Sequence, residues 1–166
     1  MSELRTNKIY PRDGLPAGAS GGGIIQVVTS ECIWSGLQLT TTSWTSLASE
    51  GATATITPHS ASNKIEIYTY VPSSTVAGQA TFYNIWDGTD FVTGTGTGSN
   101  IHISSATYNG STATDWAPIP VWYLHSPATT SPVTYTLYCK PSGTSTTDFG
   151  WAGNSRYPFV LREVSG

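Results

Sequence analysis

Charge is scarce in this 166-residue sequence: 7 Lys and Arg and 10 Asp and Glu make up 10% of the chain and leave a net charge of −3. Nucleic-acid binding needs a basic face that displaces counterions from phosphate, and so few cations under an acidic excess point away from that partner. Sulfur is rarer still, with 1 Met and 2 Cys. Cys32 and Cys139 are a single pair far apart in the chain, too few for a disulfide framework. They read as buried free thiols of a protein made in a reducing cytoplasm. Long apolar runs are missing as well. None approaches the ~20 residues of a membrane-spanning helix. The charged first residues lack the apolar segment of a secretory signal. No segment carries the Ala, Leu, Glu and Lys of a long helix.

Catalytic patterns are absent in the same way. His59, His102 and His125 stand in separate segments with no shared spacing. No H-x-x-x-H, C-x-x-C or G-x-S-x-G pattern occurs, so neither a zinc site nor a nucleophile elbow is readable. The Gly-rich stretch 94–98 is followed by no Lys-Ser or Lys-Thr and is no phosphate loop. Asp87 and Asp90 bracket a turn, where Asp serves the backbone. The expectation is a protein without metal or cofactor that is not an enzyme. The one catalytic alternative is a glycan-cleaving pair drawn from Asp115 and Asp148.

What the sequence does hold is hydroxyls and rings: Ser and Thr number 47, Gly 17, and aromatics are 11%. That profile fits an all-β domain whose exposed faces are covered by hydroxyls rather than Lys and Glu. From residue 24 onward, short β-runs alternate with turn chemistry. The run 24–28 is continuously apolar, which predicts burial on both faces or pairing with another chain. The clearest period-2 strand is 64–71: Ile65, Ile67, Thr69 and Val71 share one face, and Glu66, Tyr68 and Tyr70 share the other. Further strands are expected at 37–39, 52–57, 80–86, 90–92, 101–103, 118–124, 133–139 and 157–164. Asp87-Gly88 marks a hairpin. The prolines of 118–124 place its start at a sheet edge. Residues 108–115 and 142–150 read as loops. The fold class is an all-β, antiparallel β-sandwich, jelly-roll-like, with an extended N-terminal arm. Residues 1–23 form the arm and residues 24–166 the head.

Residues 1–23 have no helical or strand period and end in a Gly-rich run, so they cannot fold alone. They hold 5 of the 17 charged residues: Glu3, Arg5, Lys8, Arg12 and Asp13. With Leu4, Ile9 and Tyr10 as apolar anchors, this segment suits docking on a partner, Arg5 and Arg12 pairing with carboxylates. Among the aromatics, Trp44, Trp86, Trp122, Tyr68, Tyr70, Tyr123 and Tyr135 fall in strands as core or interface residues. Tyr108, Trp116, Trp151 and Tyr157 fall in or beside loops. With Asp115 and Asp148 nearby, Tyr108, Trp116 and Trp151 suit stacking on sugar rings. The alternative is that they plug sandwich ends or a seam between subunits.

Several stretches form a recognisable set. They are Leu4-Arg5-Thr6-Asn7-Lys8-Ile9 with Pro11-Arg12-Asp13-Gly14, and Gly23-Ile24-Ile25-Gln26-Val27-Val28. The run Ile56-Thr57-Pro58-His59-Ser60-Ala61-Ser62-Asn63-Lys64-Ile65 fits a recurrent ITP-x-S-x-S-x-K-I signature. Leu124-His125-Ser126-Pro127 leads into Val133-Thr134-Tyr135, and Leu161-Arg162-Glu163-Val164 closes the chain. Together they resemble the tail-fibre-like virion structural proteins of tailed, marine-type bacteriophages. The resemblance implies a β-sandwich head, commonly a homotrimer, anchored to capsid or tail proteins through the arm residues Leu4, Arg5, Lys8, Ile9, Tyr10, Arg12 and Asp13. Such proteins serve as tail fibres, head fibres or decoration proteins. The short chain has no long shaft, which favours a compact spike or decoration on the virion exterior. Tyr68 and Tyr70 are the candidate trimer interface. Tyr108, Asp115, Trp116, Asp148 and Trp151 are the candidate contacts to host glycan. Neither nucleic acid nor membrane insertion is expected.

Overall fold

The computed structural model describes residues 23–94, 103–110, 115–150 and 155–166. The described residues hold eleven strands. In chain order these are β1 (Ile24–Trp34), β2 (Leu37–Leu39), β3 (Thr45–Ser46), β4 (Thr53–Ile56), β5 (Lys64–Thr75) and β6 (Gln79–Trp86). After them come β7 (Ser105–Asn109), β8 (Asp115–His125), β9 (Val133–Pro141), β10 (Thr147–Phe149) and β11 (Ser155–Val164). A single 3-10 turn covers Ala48–Glu50. The arm, including Leu4, Arg5, Lys8, Ile9, Tyr10, Arg12 and Asp13, lies outside the described residues.

Two antiparallel sheets face each other. In the larger one, β5 is central: β8 runs along one edge, while β11 and then β10 share the other, with β1 beyond β11 and β2 beyond β10. In the smaller one, β9 is central, with β4 and β3 on one edge, β6 on the other and β7 beyond β6. The chain crosses between sheets so that β1 pairs β11, β4 pairs β9, β5 pairs β8 and β6 pairs β7. These four pairs are nested. Val28↔Leu161, Ala54↔Tyr135, Ile65↔His125 and Gln79↔Asn109 all straddle the same centre, at about residues 94–95. One long antiparallel hairpin has been rolled over itself, which is the jelly roll.

The alternation along β5 drives this arrangement. Ile65, Ile67, Thr69 and Val71 are fully or almost fully shielded and face the smaller sheet, as their period predicts. Trp34, Phe149, Phe159 and Leu161 from the larger sheet meet Tyr83, Ile85, Tyr135 and Leu137 from the smaller one in a single core. Tyr83 sits wholly inside, and its hydroxyl donates to Ser73 Oγ at 2.7 Å, which satisfies both buried groups. Cys32 and Cys139 are buried and unbridged.

Pro72 sits in the middle of β5, a position that normally argues against a central strand. It is tolerated because the ladder on that edge is interrupted there. β11 pairs with β5 through Tyr68 and β10 only from Ser73, and in the gap the Pro72 carbonyl accepts Gly150 N–H at 2.8 Å.

Several expectations are corrected. The run 24–28 is not buried on both faces: β1 is an edge strand, and Ile24, Ile25 and Val27 are exposed. Residues 108–115 are not one loop, since Tyr108 belongs to β7 and Asp115 opens β8. Within 142–150 lies β10. Its Phe149 is a core residue whose one-strand apolar signal is too short to read. Ile103 is outside any strand, and 101–102 lie outside the described residues. The Asp87-Gly88 hairpin is as expected: Asp87 Oδ1 accepts Thr89 and Asp90 N–H at 2.8 Å each, and Gly88 takes φ +97. The prolines of β8 do lie on an edge strand that pairs only with β5.

Candidate functional site

The two outer faces of the sandwich differ. On the smaller sheet, Trp86, Phe91, Tyr138 and Trp44 cover one another, with Phe91 5.0 Å from Trp44, 5.2 Å from Trp86 and 5.4 Å from Tyr138. Beside them the Asn84 side chain gathers the next loop, accepting Thr93 Oγ1 at 2.9 Å and donating to the Gly94 carbonyl at 3.1 Å. That face is closed by its own chain.

The larger sheet has no such cover among the described residues. Because Ile65, Ile67, Thr69 and Val71 point inward, Glu66, Tyr68 and Tyr70 point outward, and strand register decides their neighbours. One row reads Val27, Arg162, Glu66, Leu124; the next reads Thr29, Val160, Tyr68, Trp122. Trp122 is 53% exposed, and Val27, Leu124 and Ile33 are exposed on the same face. The Trp122 ring is fixed by Nε1–H donating to Glu66 Oε1 at 2.8 Å, and Arg162 Nη1 donates to Glu66 Oε2 at 3.0 Å. Trp122's hydrogen bond, assisted by Arg162, holds the Glu66 carboxyl below the ordinary carboxylate range. Tyr70 stands edge-on to Tyr68 at 5.1 Å and reaches Tyr157 at 6.0 Å. An aromatic line thus crosses the sheet from Trp122 to Tyr157.

Tyr68 and Tyr70, the expected interface residues, lie at the centre of this face. Sequence reading missed their partners Trp122, Leu124, Val160 and Val27, as well as the Glu66–Arg162 pair. Period 2 placed Glu66 with the two tyrosines, but the register that puts Trp122 opposite Tyr68 leaves no trace in either strand alone.

The set proposed for glycan contact is divided by the structure. Trp116 and Asp148 share one outward row of the larger sheet, on either side of Ser74. Asp148 Oδ1 accepts Gln38 Nε2 at 2.6 Å. Beside them, Trp116, Tyr157, Pro72, Pro118 and Ser155 line a groove of about 230 Å³. Tyr108, 68% exposed, is on the outer face of the other sheet opposite Ala80, so it cannot join them. Asp115 pairs with Thr75 at the start of β8. Trp151 lies outside the described residues.

A second constellation, at the pole where β1 begins and β11 ends, was not anticipated. Glu163 is fully buried and accepts four hydrogen bonds: His59 N–H at 2.7 Å, His59 Nδ1 at 2.8 Å, Asn63 Nδ2 at 2.6 Å and Gln26 Nε2 at 2.7 Å. Burial alone pushes its pKa up, but the donors Asn63, His59 and Gln26 outweigh it and hold the carboxyl down at about 2. Three segments distant in sequence are joined here. His125 is half-buried with Nδ1 2.9 Å from Tyr135 Oη, and burial lowers its pKa against the pull of Asp87. Among the described residues no three His, Cys, Asp or Glu side chains converge as metal ligands. Nor is any helix among them long and apolar enough to cross a membrane.

No family model matches the chain, and no curated protein matches it. Two solved structures of similar shape are both of infectious bursal disease virus. The VP2 subviral particle gives a TM-score of 0.46 at 14% identity, over 85% of this chain and 33% of that one. The Gx strain structure gives a TM-score of 0.46 at 14% identity, over 84% of this chain and 39% of that one. The chain therefore spans little more than a third of the length of the structures it matches.

Proposed function

We propose that this chain is a non-enzymatic structural protein of a virion. It would be a compact spike or decoration of the tail-fibre-like bacteriophage kind, with residues 24–166 outward as a homotrimeric head and residues 1–23 docked on capsid or tail proteins. The observation that carries the reading is the tethering of the chain where the head begins. The Gly23 carbonyl accepts Ser165 N–H at 3.1 Å, and two residues further on the Glu163 clasp ties Gln26 to His59 and Asn63. A pull on the preceding segment is therefore spread over β1, β11 and the turn before β5. The resemblance of 4–14, 23–28 and 56–65 to phage virion proteins supports the same reading, and so does a head rich in hydroxyls and poor in charge. Deleting residues 1–13 should leave a folded head that no longer joins the particle. Normal occupancy of the truncated protein would overturn the anchor.

Glycan contact is a second reading, favoured by the groove of Trp116 and Tyr157 beside Asp148. An aromatic wall next to a carboxylate and hydroxyls fits a sugar ring. Binding of the isolated protein to host cell-wall polysaccharide should fall on Trp116→Ala and Asp148→Ala. Equal binding by all three proteins removes the reading, and shortened polysaccharide in the wild-type incubation would instead make the protein an enzyme.

A further inference from the structure

We propose that the outer face of the six-stranded sheet packs against the same face of another copy of this chain. The argument begins with what is exposed. Val27, Ile33, Trp122 and Leu124 are the large apolar side chains exposed on this face, drawn from both edge strands, and Val160, Tyr68 and Tyr70 fill the space between them. A monomer seldom leaves so continuous an apolar face in water. The mixture of Trp, Tyr, aliphatic side chains and Arg is that of the buried centre of a protein interface. Trp122 is already held by Glu66, so little side-chain entropy is lost when a partner covers it.

Charge then selects the occupant. The charged side chains placed on this face are Glu31, Glu66 and Asp148 against Lys64, Arg156 and Arg162, three of each sign. Glu31 pairs with Arg156 and Glu66 with Arg162 within one copy. A nucleic acid or an anionic lipid surface would call for one sign in excess. A surface whose acids and bases are equal and arranged in adjacent pairs is complementary to itself: turned over, each Glu of one copy meets an Arg of the other. The outer face of the smaller sheet makes no comparable offer, because Trp44, Trp86, Phe91 and Tyr138 already cover one another.

The inference stands apart from the virion reading, since it concerns the isolated chain and would survive failure of the anchor. Sedimentation equilibrium of the full chain on the order of 10 µM tests it. Wild type should be oligomeric. Trp122→Asp and Val27→Asp, on opposite edge strands, should each weaken association by about 30-fold or more, as loss of a central interface residue does. Far-UV circular dichroism should show both variants folded. Tyr108→Asp, equally exposed on the other sheet, should associate as wild type does. A monomeric wild type overturns the proposal, as does undiminished association of both sheet variants. A monomer whose Trp emission shifts with soluble cell-wall polysaccharide or with anionic vesicles would assign the face to that ligand instead.

Discussion

At the scale of single residues, Glu163 shows how a buried charge becomes a structural joint. A carboxylate taken out of water is costly unless donors replace the water it loses, and four donors do so here. Glu163→Gln keeps the shape but turns one acceptor into a donor aimed at other donors. It should lower stability by about 2–4 kcal/mol in urea denaturation. The pH dependence follows from the direction of the shift. The folded carboxyl titrates at about 2, below its ordinary 4.5. The folded state therefore gives up the proton more readily than the unfolded one, so the joint's contribution is whole above pH 4.5 and is lost as pH falls from 4.5 towards 2. Wild type should lose stability across that window, and the wild-type-minus-variant difference should shrink with it. A constant difference would mean that the carboxylate is not ionised in the fold. The thiols supply a second prediction at this scale. Burial raises Cys32 to about 11 and Cys139 to about 12, so neither forms the reactive thiolate near neutral pH. A thiol reagent should label neither in the native protein and both in guanidinium, and rapid native labelling would contradict their burial.

At the scale of elements, the turns that bring strands close depend on a few glycines. Gly51 follows the 3-10 turn with φ +81, and a Cβ built there would collide with the Glu31 carbonyl of β1. Gly88 has a similar φ of +97, yet its nearest neighbour would be the Thr134 carbonyl at an ordinary 3.8 Å. Both alanine variants suffer the left-handed backbone, but only Gly51→Ala also drives β1 away from the loop. It should cost about 3 kcal/mol or more against about 1–2 kcal/mol for Gly88→Ala, measured side by side by thermal unfolding. Equal losses would show that the loop gives way without strain. The same scale explains what could be read in advance. β5 and β9 were legible because one side of each is core and the other is not, so alternation survives in the residues. β7 and β10 were not. β7 carries Ala106 and Tyr108 on an exposed side, and β10 has three residues and one core contact. Trp122 was legible as a strand residue but not as an exposed one, since β8 owes its face to the register with β5. The glycan set failed for a related reason: Tyr108 and Trp116 are near in sequence, but the chain changes sheet between them.

At the scale of the whole molecule, the fold is one hairpin rolled up, and its four nested pairs make a definite statement about chain order. The outermost pair, β1 with β11, ends with Ser165 hydrogen-bonded to Gly23, so the ends of the head already meet. Joining residue 166 to residue 23 by a short Gly/Ser linker and opening the chain just after Gly94 would turn the nesting inside out. β1 and β11 would become the local hairpin, and β6 and β7 the most distant partners. Every contact would persist, and the mean separation of paired residues along the chain would change little because the pairs are symmetric about the centre of the hairpin. Folding rate tracks that mean separation, so the permutant should fold within about tenfold of the unpermuted head, in the slow millisecond-to-second range of sandwiches. What should change is the order of events. Loop-closure entropy favours whichever pair is closest in sequence, so substitutions in β6–β7 should slow folding of the natural order and those in β1–β11 that of the permutant. Stopped-flow refolding of Tyr83→Phe and Val28→Ala in both chain orders reads this directly. Tyr83 reports on the β6 side through its bond to Ser73, and Val28 reports on the β1–β11 pair through its partner Leu161. If both substitutions slow the same steps in both orders, the nucleus is set by packing between the sheets and not by the nesting of the hairpin.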